Sequence, residues 1–321
     1  MIMSWELIGI PIGIVFLYFG SEWMVDGAKK IAFRLGIAPF VVGLTVVAFG
    51  SSAPEAITSL VSGSNPQIIA GNIVGSNIAN VGIAIGLSAL MAPLACKYKE
   101  IRFELITMMA TSIGITLLAT MGSISWPVGL VLIALLFAFV YAVYRMKVSD
   151  ASDPELEKEA AENTTPVWKS AIMVVLGIAC LYIGAKAFIA GAVELASMIG
   201  ISDLLVGLIV VAIGTSLPEI CICILGARRG EVDLVISNIV GSNIFNALFV
   251  LGVGTLVTDV PFTEYMVIFH MPVMILLSAM LFAMIYKNNS VGKKGGALLL
   301  GVYFVYIALM AVFPQLTSGI M

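Results

Sequence analysis

The chain of 321 residues contains much of itself twice. "LYFGSEWMVDGAKKIAFRLGI" (17–37) matches "LYIGAKAFIAGAVELASMIGI" (181–201), and "VVGLTVVAFGSSAPE" (41–55) matches "LVGLIVVAIGTSLPE" (205–219), both at an offset of 164. "GNIVGSNIANVGIAIG" (71–86) matches "SNIVGSNIFNALFVLG" (237–252) at an offset of 166. These segments lie in apolar windows of about 20 residues, the length that crosses a bilayer core as a helix. Ten windows are found, at 7–25, 38–62, 67–94, 103–121, 125–145, 167–190, 203–226, 233–257, 264–286 and 295–313. Each copy holds five of them, an odd number, so the second copy must enter the membrane from the opposite side. Inverted repeats of this kind are the plan of secondary transporters, with a site at mid-membrane between the halves. The expected fold is therefore an all-α integral membrane protein of ten transmembrane helices in two inverted five-helix repeats. Residues 1–148 form the first repeat, 149–166 a linker and 167–321 the second.

Composition and charge agree with this. Hydrophobic residues make up 60% of the chain, charged residues 11%, and the mean hydropathy is +1.10, which excludes a soluble domain. Lys29, Lys30, Arg34, Lys97, Lys99, Arg102, Arg145, Lys147, Lys158, Lys169, Arg228, Arg229, Lys287, Lys293 and Lys294 all fall in odd-numbered loops, leaving Lys186, within the sixth window, as the sole exception among the 16 basic residues. By the positive-inside rule those loops are cytoplasmic, both termini lie outside, and the acidic stretch "SDASDPELEKEAAENTTP" is a solvated cytoplasmic linker. The N-terminal segment lacks a basic leader and a small-residue cleavage site, so it reads as a first cell-membrane span. Nucleic acid is not an expected partner.

One motif breaks the apolar pattern in both copies. "GSSAPE" (50–55) and "GTSLPE" (214–219) put a helix breaker, hydroxyls and a carboxylate at membrane depth. Taken as a helix of about 25 residues and ~37 Å, the second span places Glu55 within about 8 Å of its middle, with Glu219 at the mirrored place. A charge there costs about 2.5–3.5 kcal/mol even on a lenient insertion scale. A bland reading exists: Ser52 with Glu55, and Ser216 with Glu219, have the spacing of a capping box, with Pro54 and Pro218 in the first turn. A cap, however, would work with neutral Gln. The functional reading is that interruptions near Gly50 and Gly214 free carbonyls which, with hydroxyls and two carboxylates, form an all-oxygen set for a hard cation such as calcium or sodium.

The third and eighth windows add Ser76 with Asn80 and Ser242 with Asn246, each pair four residues apart on one helix face. Gly71, Gly75, Gly82, Gly86, Gly241 and Gly252 allow close helix packing, and Asn72, Asn77, Asn238 and Asn243 read as interhelical hydrogen-bonding residues. Lone His270, in the ninth window and without a matching residue in the fourth, is a minor candidate for proton handling, while the 17 methionines and Cys96, Cys180, Cys221 and Cys223, which lack metal-binding spacing, read as packing residues.

At these residues the chain resembles the sodium/calcium exchanger family over essentially its whole length. The carriers are two copies of G-[ST]-S-x-P-E, each followed by G-[NS]-x-x-G-S-[NC]-x-x-[ND]. The resemblance implies that Glu55 and Glu219 hold calcium with the backbone carbonyls of Ser51 and Thr215. Sodium would be held by Ser52, Ser76, Ser216 and Ser242 with the carbonyls of Ala48 and Ala212, and Asn80 and Asn246 would lie at the centre. Asn246 stands where many relatives have Asp, leaving two central carboxylates. These balance one calcium, whereas three sodium ions would leave an excess of one charge. The implied activity is Ca2+/Na+ antiport with no cofactor, no enzymatic chemistry and no obligatory protein partner besides the lipid bilayer. A proton/calcium exchanger would protonate the two glutamates, a cation channel could use the same oxygens, and a membrane hydrolase would need a base beside Ser52 or Ser216.

Overall fold

A computed structural model describes residues 5–35, 39–61, 66–148, 165–198 and 214–317. Ala212, the first half of the window at 203–226 and most of the linker at 149–166 lie outside the described residues. The helices, in chain order, are α1 (Gly9–Leu35), α2 (Phe40–Ser51), α3 (Ala53–Val61), α4 (Pro66–Met91), α5 (Tyr98–Ala119), α6 (Trp126–Val148), α7 (Val167–Met198), α8 (Leu217–Arg228), α9 (Val232–Val257), α10 (Met266–Asn288) and α11 (Lys293–Val312). Eight of the described helices are long and apolar enough to cross a membrane. The two remaining windows are those carrying the Pro-Glu motif: one is divided into α2 and α3 at Ser52, and the other is described from Gly214 onward. Helices α1 and α7 run past their windows; that of α1 ended just before Asp26, and the charges beyond it find partners.

Lys29 on α1 lies 2.5 Å from Glu231, and Arg229 bonds Glu22 and, at 2.6 Å, Asp26. These pairs fasten the end of α1 to the turn between α8 and α9. Along its length α1 lies antiparallel against α7, and glycines every seventh residue let the backbones touch. A Cβ at Gly20 would come 2.8 Å from the Leu181 nitrogen and 3.0 Å from the Gly177 oxygen; one at Gly184 would come 2.8 Å from the Leu17 nitrogen and 3.0 Å from the Gly13 oxygen. This pair forms its own apolar cluster with parts of α2 and α8, separate from the main core.

Helices α4 and α9 are buried nearly end to end, while α5, α6, α7, α10 and α11 expose large apolar side chains on one side, the surface a bilayer would cover. Two short ribbons are the described departures from an all-helical fold. Strands β1 (Leu94–Ala95) and β4 (Ser290–Val291) pair antiparallel, as do β2 (Ser123–Ile124) and β3 (Val260–Pro261). Since α5 connects β1 to β2, the ribbons lie at opposite ends of the bundle. The first is flanked by Lys97, Lys99, Lys287 and Lys293, the second by Asp259 and Glu264. Asn289, in the left-handed region at φ 49°, ends α10. Its carbonyl and side-chain oxygens accept from the Cys96 and Tyr98 amides, at 2.9 and 2.8 Å.

Candidate functional site

Both motif breaks have the same local geometry. Ser52 sits at φ −84°, ψ 6° and Ser216 at φ −84°, ψ 3°, one residue out of helical conformation before α3 and α8. Glu55 and Glu219 follow one turn later and are wholly buried. Neither has an ion-pair partner among the described residues.

The structure separates the two readings of the motif. Ser216 stands at the N-cap of α8 without a side-chain capping bond, and its hydroxyl has no hydrogen-bond partner. Ser52 Oγ crosses to the other half of the chain and donates to Glu219 Oε1 at 3.1 Å. The capping box is thus not formed in the second copy, and in the first the serine hydroxyl is committed to a distant carboxylate.

Around this pair several of the expected residues meet across the two halves. Ser242 Oγ lies 3.5 Å from Glu219 Oε1 and 3.4 Å from Ser51 Oγ, which is also 3.2 Å from Asn238 Oδ1. The corresponding contact in the other copy joins Ser76 Oγ and Thr215 Oγ1 at 3.0 Å. Asn72 Nδ2 donates to the Glu55 carbonyl at 3.2 Å and Asn238 Nδ2 to Cys223 Sγ at 3.6 Å, so both amides tie neighbouring helices. The Ala48 carbonyl accepts from the Ser52 amide at 3.0 Å and lies 3.3 Å from Ser51 Oγ. Of the twelve expected positions, eleven are therefore described, and Ala212 lies outside the described residues.

The distinctive property of the cluster is its surplus of acceptors. Glu55 Oε1 and Oε2, Glu219 Oε2, Asn80 Oδ1 and Asn246 Oδ1 are all buried and receive no hydrogen bond. Buried polar groups ordinarily have partners, and a buried carboxylate without one is destabilising by several kcal/mol. A hard cation is the partner that such a set of oxygens fits, since calcium takes six to eight of them and sodium uses the same chemistry.

Several features escaped the sequence reading. Helices α4 and α9 change to π-helical spacing over Asn80–Ile85 and Asn246–Val250, each beginning at the central asparagine. Such bulges re-aim side chains and are frequent at functional sites. Glu104, on α5, is buried as well. Gly50 is a packing position, since a Cβ there would meet Met24 on α1 at 2.6 Å and Ile178 on α7 at 2.7 Å. His270 is structural: its ring bridges Tyr306 Oη at 2.9 Å and the Leu316 carbonyl at 2.7 Å.

The model of the sodium/calcium exchanger protein family matches residues 5–145 and 169–312. The chain belongs to that family. An uncharacterized membrane protein of Methanocaldococcus jannaschii, MJ0091, is 33% identical over 303 residues, covering 92% of this chain and 95% of its own. Sodium/calcium exchanger MaX1 of Methanosarcina acetivorans is 28% identical, with coverage of 93% and 96%. Among solved structures, the sodium-calcium exchanger NCX_Mj, soaked with Na+ and Sr2+, superposes with a TM-score of 0.81 at 30% identity, covering 94% of this chain and 97% of that one. The protein is thus a multi-pass membrane protein of a family of ion exchangers, and the family is one of transporters.

Proposed function

We propose that this exchanger carries Ca2+ against Na+ by alternating access, holding the ions near mid-membrane between its two halves. In this reading residues 1–148 and 167–321 are inverted five-helix repeats, the linker at 149–166 is cytoplasmic and both termini are outside. Glu55 and Glu219 supply the two formal charges that bind calcium, with the carbonyls of Ser51 and Thr215. The hydroxyls of Ser52, Ser76, Ser216 and Ser242, with the carbonyls of Ala48 and Ala212, take sodium when calcium has left. Asn80 and Asn246 contribute neutral oxygens at the centre. Sodium is preferred to protons as the counter-ion because the positions after Asn72 and Asn238 lack the glutamate of a proton-coupled pattern.

The observation that carries the reading is the set of buried oxygens on Glu55, Glu219, Asn80 and Asn246 that no protein group satisfies. A cation that binds and leaves accounts for them; a purely structural motif does not. The names of relatives and of the solved neighbour agree with it. By the positive-inside rule, the basic residues around the β1–β4 ribbon assign that end of the bundle to the cytoplasm in this reading.

The test is flux into vesicles containing the purified protein. Sodium-loaded vesicles should accumulate external calcium, saturably, and choline-loaded vesicles should not. Equal uptake driven by a pH gradient without sodium would overturn the choice of counter-ion, and non-saturating conductance would replace the exchanger with a channel. Orientation is checked with single cysteines in a cysteine-free background: one near Glu157 should label only from the cytoplasmic side and one near Glu264 only from outside.

A further inference from the structure

Where α4 crosses α9, four asparagines form a closed lattice. Asn77 Nδ2 lies 3.3 Å from the Asn243 carbonyl oxygen, and Asn243 Nδ2 lies 3.4 Å from the Asn77 carbonyl oxygen. A backbone carbonyl only accepts, so each of these amides must turn its NH2 toward it. The second hydrogens face thioethers: Asn77 Nδ2 is 3.8 Å from Met274 Sδ and Asn243 Nδ2 is 3.9 Å from Met108 Sδ. With both NH2 groups so directed, the side-chain oxygens of Asn77 and Asn243 face the other way as acceptors. Asn246 Nδ2 donates to Asn77 Oδ1 at 3.1 Å, and Asn80 Nδ2 donates to Asn243 Oδ1 at 3.0 Å. The remaining oxygens, Asn80 Oδ1 and Asn246 Oδ1, are buried and receive no hydrogen bond. Two main-chain carbonyls therefore dictate which way round all four amides sit.

We infer that Asn77 and Asn243 are positioning residues, which hold the amides of Asn80 and Asn246 oxygen-first toward the transported cation. The inference rests on the proposed exchange reading, because it needs a cation at that place. An unrestrained amide can turn either its oxygen or its NH2 to the ion, and the second orientation repels it. The lattice also explains why a neutral residue suits position 246: a carboxylate there would set an oxygen against Asn77 Oδ1, and relief would require Asn77 to give up its bond to the Asn243 carbonyl. The cation contacts belong to Asn80 and Asn246. Asn77 and Asn243 act through them.

The test uses Asn243→Leu, which keeps approximate shape and removes both polar atoms, and Asn77→Leu on the opposite helix. Each should raise the KM for calcium and for sodium about tenfold, the effect of losing one hydrogen bond's worth of orientation, with Vmax little changed. The decisive readout is the same substitution made in an Asn80→Asp background. A carboxylate at 80 offers oxygen whichever way it turns and sets one oxygen against Asn243 Oδ1, so there Asn243→Leu should leave KM unchanged or lower it, while Asn77→Leu, which acts on Asn246, should still raise it. Met108→Leu conserves volume and removes only the thioether facing the Asn243 amide; a rise of about threefold is expected from it even where a Leu variant fails to purify. Unchanged KM in these variants, or equal effects of Asn243→Leu with and without Asn80→Asp, would overturn the positioning role. Loss of flux in Glu55→Gln and Glu219→Gln alongside unchanged KM here would leave the exchange reading standing and remove this inference alone.

Discussion

The two halves of the site are alike in sequence and unlike in hydrogen bonding. Glu219 Oε1 lies within 3.1 Å of Ser52 Oγ and 3.5 Å of Ser242 Oγ, while neither oxygen of Glu55 receives a hydrogen bond and Ser216 Oγ has no partner. The scaffold around them keeps its two-fold relation closely. The breaks at Ser52 and Ser216 agree within a few degrees in φ and ψ, and the close approaches at Gly20 and Gly184 are 2.8 and 3.0 Å in both copies. At these described places the backbone geometry matches between the copies, and the difference lies in the hydrogen bonds of the side chains. On the proposed alternating-access reading, the opposite-facing arrangement is expected to be one in which Ser216 serves Glu55 and Ser52 is released.

The largest expected effect comes from the carboxylates. Glu55→Gln and Glu219→Gln each remove one of two charges facing a divalent ion, and calcium affinity measured by titration calorimetry should fall by about two orders of magnitude or more in both. They should differ without ions. In chelator, Glu55→Gln removes a buried charge without donors and should raise the melting temperature, whereas Glu219→Gln, whose residue already has donors, should change it little. Equal melting shifts would break the contrast between the halves.

Next come the serines. Ser52→Ala deletes a hydrogen bond to a charged acceptor, of roughly 1.5–3 kcal/mol, and should weaken calcium binding by about tenfold or more. Ser216→Ala removes a hydroxyl that makes no hydrogen bond to the protein here and should weaken it by less than about threefold. Measuring half-saturation from each side of the vesicle sharpens the comparison: the two substitutions should exchange rank when the opposite face is sampled. The same rank from both sides would mean that the asymmetry does not invert.

The frame should respond equally in its two copies. Gly20→Ala and Gly184→Ala each push a methyl group into backbone atoms and should each lower stability by about 1–3 kcal/mol, read from thermal melts in detergent. Unequal losses would show that the frame itself is asymmetric. The smallest effect is expected at Arg229→Ala. Its pairs with Glu22 and Asp26 are partly exposed and should contribute less than about 1 kcal/mol, a difference that vanishes in high salt.

Much of this molecule follows from the sequence alone. Twenty-residue apolar windows point to spans because lipid leaves a backbone no partner but itself, and eight of the described helices are long and apolar enough to be such spans. The motif residues Glu55 and Glu219 stood out because a charge at membrane depth demands a reason, and Ser76, Asn80, Ser242 and Asn246 because their spacing puts them on one helix face. What only the tertiary structure decided is which groups meet across the halves. The Ser52 hydroxyl goes to Glu219 rather than to its own helix end, and nothing local to "GSSAPE" could say so, because the competing partner lies 167 residues away. Charges on α1 that had seemed to end a span find their partners in Arg229 and Glu231, over two hundred residues on. The facing of Asn80 and Asn246 depended on two carbonyls exposed to side chains only where α4 crosses α9. A side chain's type and spacing are local properties. Its hydrogen-bond partner, and with it the direction in which an amide or hydroxyl points, belongs to the packed helices.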